Sequence, residues 1–252
     1  MVVEAALLFV PLAILGAAIN WPGSLDFAPS KALPLIFDQL GQVRLGYGVY
    51  LLYSLAWALI GPAIAWVALG SDKRVGPLFV TAVGLICASA LARAIGIIRW
   101  LTASTFLAEN YGDATPEAQQ TIELIQSVVT SWGGAIGEIL GVSLLTVGWL
   151  IAVSLIILRN GGLPKILGWA GLIVAPILAS PVIALFGMES STFIPTLSIP
   201  LWMFSTGFPT MVLAFFRYGT RYAITRNPRC RRGNRPPCRH PRHSPRRRPP
   251  PP

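Results

Sequence analysis

Two charged residues stand where charge is expensive. Arg93 interrupts an apolar run that extends from Val75 to Ile98, and Glu138 opens another that continues to Leu158. Ionisable groups inside such runs pair with one another or mark the path of a solute. Arg93 and Glu138 are therefore a candidate intramembrane ion pair. That pair is either a structural pin between two helices or a gate and carboxylate-binding point, with Arg99 further along the same helix. Arg93 lies 19 residues past Arg74, and Glu138 lies 21 before Arg159. At about 1.5 Å per residue both fall near one edge of a hydrocarbon core about 30 Å thick. An arginine there can extend its head toward the headgroups, so the structural pin is the simpler role.

Other chemistry is thin. No histidine precedes His240, so the apolar body lacks His-based acid–base catalysis and metal ligation. The zinc-protease, phosphate-loop and serine-elbow signatures are absent. Asp26, Asp38, Asp72 and Asp113 all lie in connections between apolar runs. Cys230, Cys238, His240 and His243 have seven residues between the cysteines, wider than zinc sites use. Cys87 reads as a small core residue. No catalytic, cofactor-binding or metal-ligating residue is assigned, and a non-enzymatic protein is expected.

The elements that would position the charged pair are marked by small residues. Gly84, Ala88, Ala92 and Gly96 recur every four residues, as do Gly133, Gly137 and Gly141. Small residues at this spacing let helix backbones approach closely in lipid. Aligning Ala88 with Gly141, Ala92 with Gly137 and Gly96 with Gly133 places Arg93 near Glu138. The same alignment puts the turn near Thr115-Pro116, inside a polar link. A helical hairpin with facing stripes is expected.

Composition sets the wider frame. The chain has 252 residues, 54% hydrophobic and only 12% charged, with a mean hydropathy of +0.62. The charged share is about half that of soluble domains, which excludes an ordinary soluble enzyme and, for most of the chain, disorder. The expected fold is an all-α polytopic membrane bundle of six transmembrane helices, at about 2–20, 45–70, 76–101, 121–158, 164–188 and 197–219. It occupies residues 1–225. Met1-Val2-Val3-Glu4 lacks the positive flank of a secretory signal, so the first span is expected to remain uncleaved.

Basic residues follow spans two (Lys73, Arg74), four (Arg159, Lys165) and six (Arg217, Arg221, Arg226). By the positive-inside rule both termini are cytoplasmic. Residues 30–40 read as a short helix on the outer surface, with Leu33, Ile36, Phe37 and Leu40 on its apolar face. Trp21, Trp100 and Trp202 read as interface anchors. Tyr47, Tyr50, Tyr53 and Trp57 line one helix face and read as bundle packing. Pro62, Pro176, Pro181 and Pro209 mark interrupted helices.

The formal charge of +10 belongs to the last 27 residues, since residues 1–225 hold ten basic and ten acidic groups. Residues 226–252 are an Arg/Pro-rich segment without apolar periodicity, expected to be a disordered cytoplasmic tail. It is either a binder of anionic lipid or out-of-frame text from a GC-rich gene. Nucleic acid is not an expected partner, and the lipid bilayer is.

Three stretches carry a family resemblance: Ala92-Arg93-Ala94-Ile95-Gly96-Ile97-Ile98, the glycines at 133, 137 and 141, and Leu163-Pro164-Lys165-Ile166-Leu167-Gly168-Trp169-Ala170-Gly171-Leu172. Through these, residues 5–222 resemble a bacterial integral-membrane family catalogued as domain of unknown function 4386. The resemblance implies six spans and no catalytic residues. The expectation is a multi-pass protein of a bacterial cytoplasmic (inner) membrane, structural or regulatory. The alternative is a small-solute transporter or permease using the Arg93/Glu138 region.

Overall fold

The computed structural model describes residues 8–70 and 75–187. Span six, the tail from Arg226, the basic residues Lys73 and Arg74, Trp202 and Pro209 lie outside the described residues, as does the Cys/His cluster of the tail.

The described residues are helical, with no strand among them. Helix α1 spans Phe9–Ile19 and ends at Asn20, whose left-handed φ of 58° stops it. A 3-10 turn, Gly23–Asp26, leads to α2, Pro29–Asp38. Helix α3 runs 29 residues, Leu40–Ala68, without breaking at Pro62. Helix α4, Pro77–Leu101, begins with proline at its first turn, where no backbone donor is lost. At Thr102 the axis is interrupted, and the short α5 follows over Ala103–Glu109.

The next helical stretch has three parts. Helix α6, Pro116–Gly134, starts at a Thr115 cap whose hydroxyl accepts from the Ala118 amide. It then widens into an eleven-residue π segment, Ala135–Leu145, and continues as α7, Thr146–Asn160. Gly161, with φ of 67°, ends it. Helix α8, Lys165–Ala179, and a 3-10 turn, Ser180–Phe186, complete the described chain. Four of these stretches are long and apolar enough to cross a membrane: Leu40–Ala68, Pro77–Glu109, Pro116–Asn160 and Lys165–Ile183. Helix α1 is apolar but shorter.

Helix α4 is the central element, packing on α3, on the π segment and on α7. Two apolar clusters flank it. One gathers around Trp57, Ile86 and Trp149, with Trp57 and Trp149 edge-to-face at 5.4 Å. The other gathers around Leu15, Leu33, Ile36, Tyr47 and Trp100. At the turn before α8, Gly162 lies against the carbonyls of Val67 and Ala68. A side chain there would meet backbone, which explains the glycine.

Four expectations need correction. Phe37 is 51% exposed, because α2 turns Ala32, Leu33 and Ile36 inward instead. Cys87 is exposed, and its thiol reaches the Ala58 carbonyl of α3 at 3.9 Å. Trp21 and Trp100 are buried. The 3-10 turn and α2 fold back over the bundle and cover them, so neither ring stands at a free boundary.

Candidate functional site

The small residues of α4 and the π segment meet, one helical turn away from the alignment expected. A Cβ on Gly96 would lie 2.6 Å from the Gly137 Cα and 2.9 Å from the Gly133 carbonyl oxygen. Gly96 therefore crosses Gly137, and Ala92 lies against Gly141. Gly84 and Ala88 face outward, and a Cβ on Gly84 would meet nothing within 4 Å.

The cause of the offset is visible at the two outer glycines. A Cβ on Gly133 would lie 2.5 Å from the Arg99 Cδ, and one on Gly141 would lie 2.9 Å from the Arg93 Cγ. Gly133 thus seats the stem of Arg99, and Gly141 seats the stem of Arg93. Gly137 is where backbone meets backbone.

This offset changes the partner of Glu138. Its Oε1 lies 3.8 Å from Nη2 of Arg99 rather than beside Arg93. Arg99 also donates from Nη1 to the Thr130 carbonyl at 2.5 Å and packs against Trp100, 5.3 Å from guanidinium carbon to ring centre. Glu138 keeps 40% of its side-chain surface uncovered.

Arg93 has a different surrounding. Its guanidinium carbon lies 5.2 Å from the ring centre of Tyr53 and 5.5 Å from that of Trp57, and Tyr50 stands beside it. It is only 6% exposed, and no carboxylate pairs with it among the described residues. Cation–π contacts contribute about 0.5–2 kcal/mol each. Burying an unpaired charge costs several kcal/mol. The two rings and the Tyr50 side chain supply no countercharge, so the Arg93 charge is left incompletely offset.

These groups line one cavity of about 80 Å3, bounded by α3, α4, the π segment, the 3-10 turn after α1 and the end of α8. Seating one water takes about 10–15 Å3, so the space holds several waters or a small molecule. The aromatic stripe of α3 forms its wall. Trp21 and Tyr50, Tyr50 and Tyr53, and Tyr53 and Trp57 are successive neighbours at 5.8, 5.9 and 6.4 Å. Tyr47 stacks flat on Trp100 at 5.1 Å. Read as bundle packing from the sequence, the stripe is also the surface that receives Arg93. Its contact with Arg93 carried no sequence signal, because nothing local relates 53 and 57 to 93.

The π segment adds a polar seam on the same cavity. The Gly141 carbonyl accepts the Thr146 amide in the wide i+5 pattern. The Ser89 and Thr146 hydroxyls reach it at 2.8 and 3.0 Å and lie 2.8 Å from each other. Such wide turns gather at functional sites. A second space, also bordered by Trp100, is lined by Leu25, Phe27 and Ala32 on one part and by Gln126, Thr130 and Ser131 on another.

An all-helical bundle with four spanning-length helices and charged groups around an internal cavity is the class that fold and site define. The model of a family described as domain of unknown function (DUF4386) matches residues 3–216, and the chain belongs to that family. No curated protein and no solved structure matches it.

Proposed function

We propose that the protein is a multi-pass protein of a bacterial cytoplasmic membrane that binds a small solute in the Arg93 cavity, as a permease or a sensor, without a catalytic step. The observation that carries this reading is Arg93: a buried guanidinium on a cavity wall, met by the Tyr53 and Trp57 rings and by the Tyr50 side chain but by no carboxylate among the described residues. A purely structural arginine at this depth would be expected to sit against a carboxylate, as Arg99 does.

The topology proposed is six spans with both termini cytoplasmic. Its support is the basic clusters at Lys73/Arg74, Arg159/Lys165 and Arg217/Arg221/Arg226, set against the acidic link of Glu109, Asp113 and Glu117. The Arg/Pro tail would then lie against anionic lipid. Reporter fusions at residue 225 and within 110–116 test this, and an external signal at 225 would refute it.

Solute access has its own test. Ser143 lines the cavity. Val142 on the same wall is partly exposed, and with Cys87, Cys230 and Cys238 replaced by serine, Val142→Cys should react with a membrane-impermeant methanethiosulfonate from one side of sealed vesicles. Inertness from both sides would leave Arg93 a structural group and overturn the solute reading.

A further inference from the structure

We infer that the Arg93 cavity is a site for a small organic monoanion, a carboxylate on a short apolar or aromatic body. The inference rests on the solute reading above and names the class of solute.

Four polar atoms on this cavity are buried without a hydrogen-bond partner among the described residues: Arg93 Nε, Arg99 Nε, the Tyr47 hydroxyl and the Ser143 hydroxyl. All four belong to side chains at least nine-tenths buried. Native structures leave few buried polar groups unpaired, and four among the side chains that α3, α4 and the π segment bring around one cavity call for a partner. The two Nε groups can only donate, and the two hydroxyls can donate. The partner that satisfies them together is an acceptor.

Charge narrows the class. The Arg99 charge is met by Glu138, and the Arg93 charge is met by no carboxylate among the described residues. One uncompensated positive charge matches one negative charge, and a dianion would bring a second with no cation to meet it. The Glu138 carboxylate on the same wall opposes a second negative group further.

The remaining wall settles the body. Tyr53, Ile97, Val142 and Leu178 also line the space. An inorganic anion would leave oxygens facing these apolar groups, whereas a carboxylate turns its head to Arg93 and its body to them. Flat rings at Tyr50 and Tyr53 suit an aromatic body as well as a short chain.

The test uses the full-length protein in detergent, read by tryptophan fluorescence, since Trp57, Trp21 and Trp100 stand at or beside the cavity. Propionate and benzoate are titrated against propionamide and benzamide, which have the same shape and no charge, and against benzylamine. The expected result is saturable binding of at least one carboxylate, at least ten-fold tighter than its amide. Arg93→Gln should abolish that preference, and Arg93→Lys, which keeps the charge, should retain part of it. Equal binding of acid and amide, or preference for benzylamine, would overturn the monoanion assignment while leaving the solute reading in place. Absence of binding by all five, with Val142→Cys still reactive, would also overturn the assignment. An unreactive Val142→Cys would remove the reading beneath it. Should Arg93→Gln fail to fold, the acid–amide comparison on the natural protein still decides.

Discussion

Gly141 carries no side chain at the point where Arg93 crosses it. A Cβ there would come within 2.9 Å of the Arg93 Cγ and 3.2 Å of its backbone nitrogen. Neither atom is the free end of a side chain, so neither can move aside cheaply. The glycine makes room for the arginine to reach the aromatic wall of α3.

The first prediction follows from that contact. Gly141→Ala should destabilise the fold by about 1–3 kcal/mol through overpacking. Gly84→Ala should be near neutral, because a Cβ there meets nothing within 4 Å. Thermal denaturation in detergent compares the two. Combining Gly141→Ala with Arg93→Ala should cost less than the two singles together, since removing the stem clears the clash. Additive losses would show that Gly141 serves something other than Arg93.

The backbone crossing makes a sharper demand. Gly96 and Gly137 face one another, and a Cβ on Gly137 would lie 3.1 Å from the Gly96 Cα. Here both partners are main chain, so accommodation requires the helices to separate. Gly96→Ala should therefore be at least as costly as Gly141→Ala, and Gly137→Leu more costly still, by the same denaturation assay. A Gly96→Ala variant as stable as the natural protein would show that the helices do not approach this closely.

Much of the architecture was legible in the sequence because hydropathy is local. Apolar runs identify helices, and the polar link around Thr115-Pro116 a turn between two of them, without reference to anything distant. The alignment between α4 and the π segment was not legible. Glycines at 133, 137 and 141 announce that something approaches closely, but not whether it is backbone or an arginine stem. Gly137 meets backbone alone whereas Gly133 and Gly141 seat arginine stems, and reading all three alike displaced the pairing by a turn. The π segment compounds this, since its eleven residues do not keep the α-helical period. Arg93 and Glu138 were legible as unusual residues. Their partners, Tyr53 with Trp57 and Arg99 respectively, depend on that alignment and so were hidden with it.

The partners of Glu138 can be separated by a double-mutant cycle. The 3.8 Å approach to Arg99 and the 40% uncovered side chain make a weak ion pair, so Glu138→Gln should cost no more than about 1 kcal/mol. Arg99→Ala should cost more, because it also removes the Thr130 hydrogen bond and the stem over Gly133. The cycle should give measurable coupling between Arg99 and Glu138 and none between Arg93 and Glu138. Coupling confined to Arg93 and Glu138 would restore the alignment drawn from the small residues alone.

The connection between α5 and α6 yields a prediction in pH. The Tyr111 hydroxyl donates to Glu123 Oε1 at 2.5 Å, tying the link to the first turns of α6. That hydrogen bond, with smaller help from burial and the carboxylate charge, raises the Tyr111 phenol above its ordinary value near 10. A folded-state value above the unfolded one means the folded state holds its proton longer. The bond's stabilisation is therefore fully present below pH 10 and is lost as pH rises through the raised folded value. Stability measured from pH 8 upward should fall more steeply for the natural protein than for Tyr111→Phe, which lacks the proton and the bond. Below pH 9 the Phe variant should be the less stable of the two, and the difference should shrink as alkali ionises the phenol. Parallel curves for the two proteins across that range would show that the Tyr111–Glu123 bond does not hold the connection in place.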